Sequence, residues 1–197
     1  MPPFVTKDIS QRQAQITELF TSLIPDLAGL NAQRYQRNIS GGIQEYLEAI
    51  SFQQYLTNGS LLNLTQAQDS LPKGIELTIA DYMGGIFDLL GEIMRIGITL
   101  IATTPLPSDG TKQIECPKIL NDMRDMRDFF ESIDTTRGSG NGSLGKEVDK
   151  KLSVMRTCVE KVETAVYGMI VRGRERPAGW QPDTEGPGRS RYDAEEL

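Results

Sequence analysis

Two short stretches place acidic side chains where helices could bring them together. "GGIQEYLEAISF", residues 41 to 52, carries Glu45 and Glu48 three apart, and "IFDLLGEIMR", residues 86 to 95, carries Asp88 and Glu92 four apart in an otherwise oily run. Spacings of three and four put side chains on one face of a helix. Carboxylates among apolar residues are costly unless they are paired or hold a metal. Two such helices could meet and offer four oxygen-donor side chains to one ion, and the interior of a helix bundle is where such sites are built. The competing reading is structural: Glu92 pairs with Arg95 three residues on, and the strip is an ordinary solvated one.

The chain has no histidine and two cysteines, Cys116 and Cys158. This removes the histidine-based nucleophile systems and every zinc or iron site that needs imidazole, a carboxylate-bridged iron oxidase included. Carboxylates, lysine, tyrosine and a hard metal ion held by oxygen remain, which points to magnesium or manganese. The cysteines read as buried small hydrophobes in a reducing intracellular compartment. A net charge of −6 leaves no whole-chain electrostatic footprint for nucleic acid, so polyanion binding has to be local or shared with a partner. The longest apolar stretch, about residues 82 to 101, is interrupted by Asp88, Glu92 and Arg95, which argues against a membrane span.

The elements that would position these residues are helical throughout. Ile16, Leu19, Phe20, Leu23, Ile24 and Leu27 make one apolar face over residues 8 to 27, and Ile39, Ile43, Leu47 and Ile50 make another over residues 31 to 56, which "TNGS" then breaks. A short polar helix is expected at "LTQAQDSL". The oily helix is expected from Ile75 or Glu76 to Ala102, with Asp81, Gly84, Asp88, Glu92, Arg95 and Thr99 on its one polar stripe. Residues 116 to 133 form a further helix with Ile119, Met123, Met126 and Phe130 on one side. Residues 138 to 145 read as a flexible connection, and the last helix runs from about Leu144 to Val171. After Gly173 the composition turns to Pro, Gly and charge, which reads as a disordered tail over residues 174 to 197. The expected fold is an all-α multi-helix bundle, one domain over residues 1 to 173.

Weaker features have plain explanations. Asp122, Asp125 and Asp128 with Arg124 and Arg127 read as a self-paired solvated face, and Gly84, Gly85, Gly91 and Gly97 as glycines that let helices approach.

"GGIQEYLEAISFQQYL", "DYMGGIFDLLGEIMRIGI" and "KEVDKKLSVMRTCVEKVETAVYGMIVRG" resemble the translin family, in the right order over most of residues 8 to 173. The pairing of E-x-x-E with D-x-x-x-E resembles the family's nuclease branch. The resemblance implies a magnesium-dependent endoribonuclease of single-stranded RNA, with manganese as an alternative ion. It further implies a role in RNA interference and on transfer-RNA fragments, in cytoplasm and nucleus, inside a hetero-oligomeric barrel with a translin-like subunit. Carried over by position, the motifs fall on Glu45 and Glu48 and on Asp88 and Glu92, with Glu48, Asp88 and Glu92 as the metal ligands. Arg34, Arg37 and Arg95 are the candidate RNA contacts, whereas Lys150, Lys151, Arg156 and Lys161 read as ordinary surface charges. Family members usually carry a longer N-terminal segment with a basic helix. The alternative function is a non-catalytic helical subunit whose carboxylates are structural.

Overall fold

The computed structural model describes residues 3–103, 118–133 and 143–175. These form six α-helices: α1 Pro3–Leu23, α2 Leu30–Asn58, α3 Leu64–Ser70, α4 Ile79–Thr103, α5 Lys118–Ser132 and α6 Ser143–Glu175, with a 3-10 turn at Ile24–Leu27. There is no strand among the described residues, as the sequence pattern predicts. Of the connection expected at residues 138 to 145 and the tail expected from residue 174, residues 143 to 145 and 174 to 175 are instead the two ends of α6, because the helical backbone hydrogen bonding continues through them, while residues 138 to 142 and 176 to 197, with Cys116 and Pro117, lie outside the described residues. No described helix is long and apolar enough to cross a membrane.

Local chemistry sets the helix ends. Pro25 in the first turn of the 3-10 segment lacks an N–H and would clash with the preceding turn, so α1 stops at Leu23, four residues short of the expected Leu27. Gly59 closes α2 in the left-handed region at φ 66°, and its N–H donates to the Tyr55 carbonyl at 2.8 Å. At the start of α3 the Gln66 N–H donates to Asn63 Oδ1 at 2.8 Å and the Asn63 N–H donates to Gln66 Oε1 at 3.0 Å, a reciprocal cap.

The oily helix begins later than the sequence predicts, at Ile79 rather than Ile75 or Glu76. The reason is a side chain that replaces helical hydrogen bonds. Gln68 Nε2 donates to the Ile75 carbonyl at 3.0 Å, and the Leu77 N–H donates to Gln68 Oε1 at 2.9 Å. With those backbone groups satisfied, the segment stays extended and still buries Ile75.

Helix α4 joins two apolar clusters. On one side Leu89, Leu90 and Ile93 pack with Met123 and Phe130 of α5 and with Met155, Val159 and Val162 of α6. The other cluster is built from Phe20 and Leu27, from Ile43, Leu47 and Ile50 of α2, and from Ala67, Leu71 and Ile75. Each fully enclosed leucine or isoleucine here stabilises the fold by roughly 1.5–3 kcal/mol. Two members of the expected α1 stripe do not join it: Leu19 and Leu23 are exposed. Nor does the acidic face of α5 pair only with itself. Arg124 Nε reaches Glu163 of α6 at 2.7 Å, and Asp122 accepts from the Tyr55 hydroxyl of α2 at 2.8 Å.

Candidate functional site

The carboxylates lie along the seam where α2 meets α4. Helix α2 contributes Gln36, Ser40, Gln44 and Glu48, each one helical repeat of four after the last, and α4 contributes Asp81, Asp88 and Glu92. Between the acids of α4 stand Gly84 and Gly85. A Cβ on Gly85 would lie 2.9 Å from the Leu47 Cβ and 3.0 Å from the Gln44 carbonyl, so the two backbones approach as closely as glycine permits. That contact holds the Glu48 turn beside the Asp88 turn. Gly97 serves the same purpose against Ile119, whereas Gly91 faces open space and needs another account than close packing.

Asp81 does not share the site of Asp88 and Glu92, although the sequence puts it on the same stripe. It is 2% exposed and enclosed by neutral donors. Gln36 Nε2 donates to Oδ2 at 2.7 Å and Thr78 Oγ1 to the same oxygen at 2.6 Å, while Ser40 Oγ and Gln44 Nε2 donate to Oδ1. The Asp81 N–H in turn donates to Thr78 Oγ1 at 3.0 Å, which caps the start of α4. This carboxylate is satisfied and closed off.

One end of the seam is different. Burial raises the Glu48 carboxyl above its ordinary value of 4.5, and the negative charges of Glu45, Asp88 and Glu92 raise it further, with only Lys151 pulling it down. All four sequence-predicted acids therefore act on one locus. Glu45 is exposed and Glu48 half-buried; Ala49 and Leu56, expected to be buried beside them, are exposed.

Two cations already stand among these acids. Lys151 Nζ of α6 donates to both oxygens of Asp88, at 3.0 and 2.9 Å, and to the Gly84 carbonyl at 3.2 Å. Arg95 Nη1 donates to Glu92 Oε1 at 3.0 Å, the pair that the structural reading of the sequence anticipates. Beside Asp88 opens a cleft of about 210 Å³ lined by Phe87, Asp88, Lys150, Lys151 and Val154. Lys151 is the residue that sequence reasoning missed. Its helical spacing gave no sign that it points back to α4, and only the polar break at residues 150 and 151, ahead of the apolar run from Leu152, marked the position.

The donor set is all carboxylate oxygen, which suits a hard divalent ion that keeps several waters. The cluster of like charges around Glu48 is the electrostatic setting in which such an ion is favoured. Among the described residues, however, no three acidic side chains already gather around one point as a metal would require. The side chain of Asp88 is instead turned to Lys151. Of the predicted RNA contacts, Arg95 lies in the site, while Arg34 and Arg37 are exposed on α2, Arg37 about three turns before Glu48.

An all-helical bundle with an acidic seam between two of its helices is the class of protein that these features define. The chain belongs to the translin family, whose model matches residues 2–173. It is similar to Translin-associated protein X of Mus musculus, with 30% identity over 178 aligned residues that take in 77% of this chain and 56% of the relative. It is also similar to the Translin-associated protein X homolog of Schizosaccharomyces pombe, 29% identical over 164 residues, 83% of this chain and 64% of that protein. The chain thus spans between about half and two thirds of the length of the curated relatives it matches.

Proposed function

We propose that the chain is a magnesium-dependent endoribonuclease subunit that cleaves single-stranded RNA in a hetero-oligomeric barrel with a translin-like partner. The observation that carries this reading is the α2–α4 seam: the helices close on each other at Gly85, and the negative charges of Glu45, Asp88 and Glu92 all bear on half-buried Glu48, with no histidine to assist them. Glu48, Asp88 and Glu92 would hold the ion, magnesium or manganese. When bound, it would supply Lewis acidity toward the scissile phosphate and the attacking water.

The chain's own groups do the rest. Burial and the neighbouring negative charges raise the Glu48 carboxyl, a like-charge crowding that a divalent ion held there would relieve. Glu45, outside the ligand set and exposed one turn earlier on α2, orients the attacking water and accepts its proton. Lys150, Lys151 and Arg95 attract the phosphate backbone, which four carboxylates alone would repel. The partner supplies the wider basic surface that a chain of net charge −6 lacks. Natural substrates on this reading are passenger strands in RNA interference and transfer-RNA fragments, in cytoplasm and nucleus.

A second reading, a non-catalytic interaction subunit, draws on the Asp88–Lys151 and Glu92–Arg95 pairs, which also fit a purely structural charge network. Cleavage of a labelled single-stranded RNA separates the two, with and without a translin partner, in Mg²⁺ and in EDTA, beside Glu48→Gln. Metal-dependent cleavage that the substitution removes supports the nuclease. Absence of cleavage with the partner present leaves the interaction subunit.

A further inference from the structure

The cation at Asp88 comes from a helix outside the α2–α4 pair. Lys151 crosses from α6 and places the three donors of its ammonium on three oxygens, both of Asp88 and the carbonyl of Gly84. Both Asp88 oxygens thereby face the ammonium, and among the described residues Lys151 is the one positive charge that bears on Glu48. An ammonium and a divalent ion repel each other at the few ångströms that sharing one carboxylate would impose. The Lys151 side chain is 24% exposed against 43% for Asp88, so the lysine is the more enclosed of the pair, and both line the cleft with Lys150, Phe87 and Val154. The cleft gives a displaced ammonium somewhere to go that is next to the site and already carries a second lysine.

We propose that Lys151 is a resident counter-ion which the divalent ion must displace from Asp88, and that the freed ammonium turns into the cleft beside Lys150 to meet a phosphate. The proposal rests on the metal-dependent reading above and adds an exchange of cations to it. It makes Lys151 more than a tie between α4 and α6. A plain tie would hold Asp88 in place for the metal, and its loss would weaken binding. A competitor does the reverse.

The test is Mn²⁺ binding by the full chain without RNA, followed by the magnetic-resonance signal of free Mn²⁺, so that no turnover enters. Lys151→Met is expected to tighten binding by about tenfold, because the ion no longer competes with an ammonium, while Lys151→Arg stays near the unsubstituted chain. In the unsubstituted chain, the ¹⁵N signal of the Lys151 ammonium, assigned by its loss in Lys151→Arg, is expected to shift in step with added Mg²⁺. Unchanged or weaker Mn²⁺ binding by a folded Lys151→Met overturns the exchange and leaves the nuclease reading standing. No Mn²⁺ binding by either chain overturns both. If Lys151→Met loses its helical circular dichroism, the ammonium signal decides: a signal unmoved at saturating Mg²⁺ overturns the exchange.

Discussion

The seam between α2 and α4 holds carboxylates at both ends, and the ends treat them in opposite ways. Near the start of α4, Asp81 is enclosed and receives hydrogen bonds from four neutral side chains, with Thr78 also closing the helix cap. Two turns on, Glu48, Asp88 and Glu92 are half-open, repel one another and are balanced by cations from α6 and from the next turn of α4. Burial therefore does not mark the acid that is left open to a ligand. A deeply buried carboxylate whose oxygens are all satisfied is part of the scaffold, and a half-buried one on which several like charges bear is where a ligand can still lower the energy.

Substitutions at the two ends sharpen that contrast. The largest effect belongs to the open end: Glu48→Gln or Asp88→Asn should reduce RNA cleavage by about 10²–10⁴-fold, the order expected when activation of the attacking water is lost, without lowering the melting temperature. Single-turnover cleavage beside a thermal melt checks this, and a variant that melts early would return Glu48 to the scaffold. At the closed end the pattern inverts. Asp81→Ala strands the donors of Gln36, Ser40, Gln44 and Thr78 and should cost about 3 kcal/mol in urea unfolding. Refolded Asp81→Ala that cuts RNA normally below its transition would confirm that this acid does no chemistry.

Smaller effects probe the glycines between the ends. Gly85→Ala pushes a methyl against Leu47 and the Gln44 carbonyl and should destabilise by roughly 1–3 kcal/mol, with cleavage lost as Glu48 moves away from Asp88. Gly91→Ala has open space and should stabilise α4 by about 0.5–1 kcal/mol. Equal unfolding midpoints for the two variants would contradict the close approach.

The smallest expected effect concerns pH. The Glu48 carboxyl is raised on folding, so the folded state favours its protonated form. The stability associated with that form is present in acid below 4.5 and is lost as pH rises through the higher folded value. Without metal, Glu48→Gln should thus melt slightly above the unsubstituted chain at neutral pH, and the difference should vanish in acid. A difference that grows toward low pH would reverse the sign of the argued shift.

The sequence made the helices legible because each apolar stripe in α2, α4, α5 and α6 repeats at helical spacing and is buried over most of its length, with Ile39, Ile119 and Met169 only partly covered. It misplaced the start of α4 because Ile75 and Leu77 look like one more turn of the stripe, while the bonds to Gln68 that hold them extended are not local in sequence. Spacing and context singled out Glu45, Glu48, Asp88 and Glu92, and the fold sets them along the α2–α4 seam. What spacing could not separate was Asp81 from Asp88, since both lie on the polar side of one helix. The discriminating signal was on the other helix: neutral Gln36, Ser40 and Gln44 face Asp81, and Glu48 faces Asp88. Lys151 was out of reach for the same reason, since which face of α6 meets α4 is decided by tertiary packing.

The origin of Lys151 in α6 has a bearing on how the chain assembles. Domains generally fold as units, and Lys151 lies 63 residues beyond Asp88 in the chain, so the charge on Asp88 is met only when α6 has packed on α4. An α2–α4 pair without α6 would hold the negative charges of Glu45, Glu48, Asp88 and Glu92 at the seam without that ammonium. The seam's surplus charge therefore rewards the docking of the last helix, and a divalent cation taken from solution would offset the same charge.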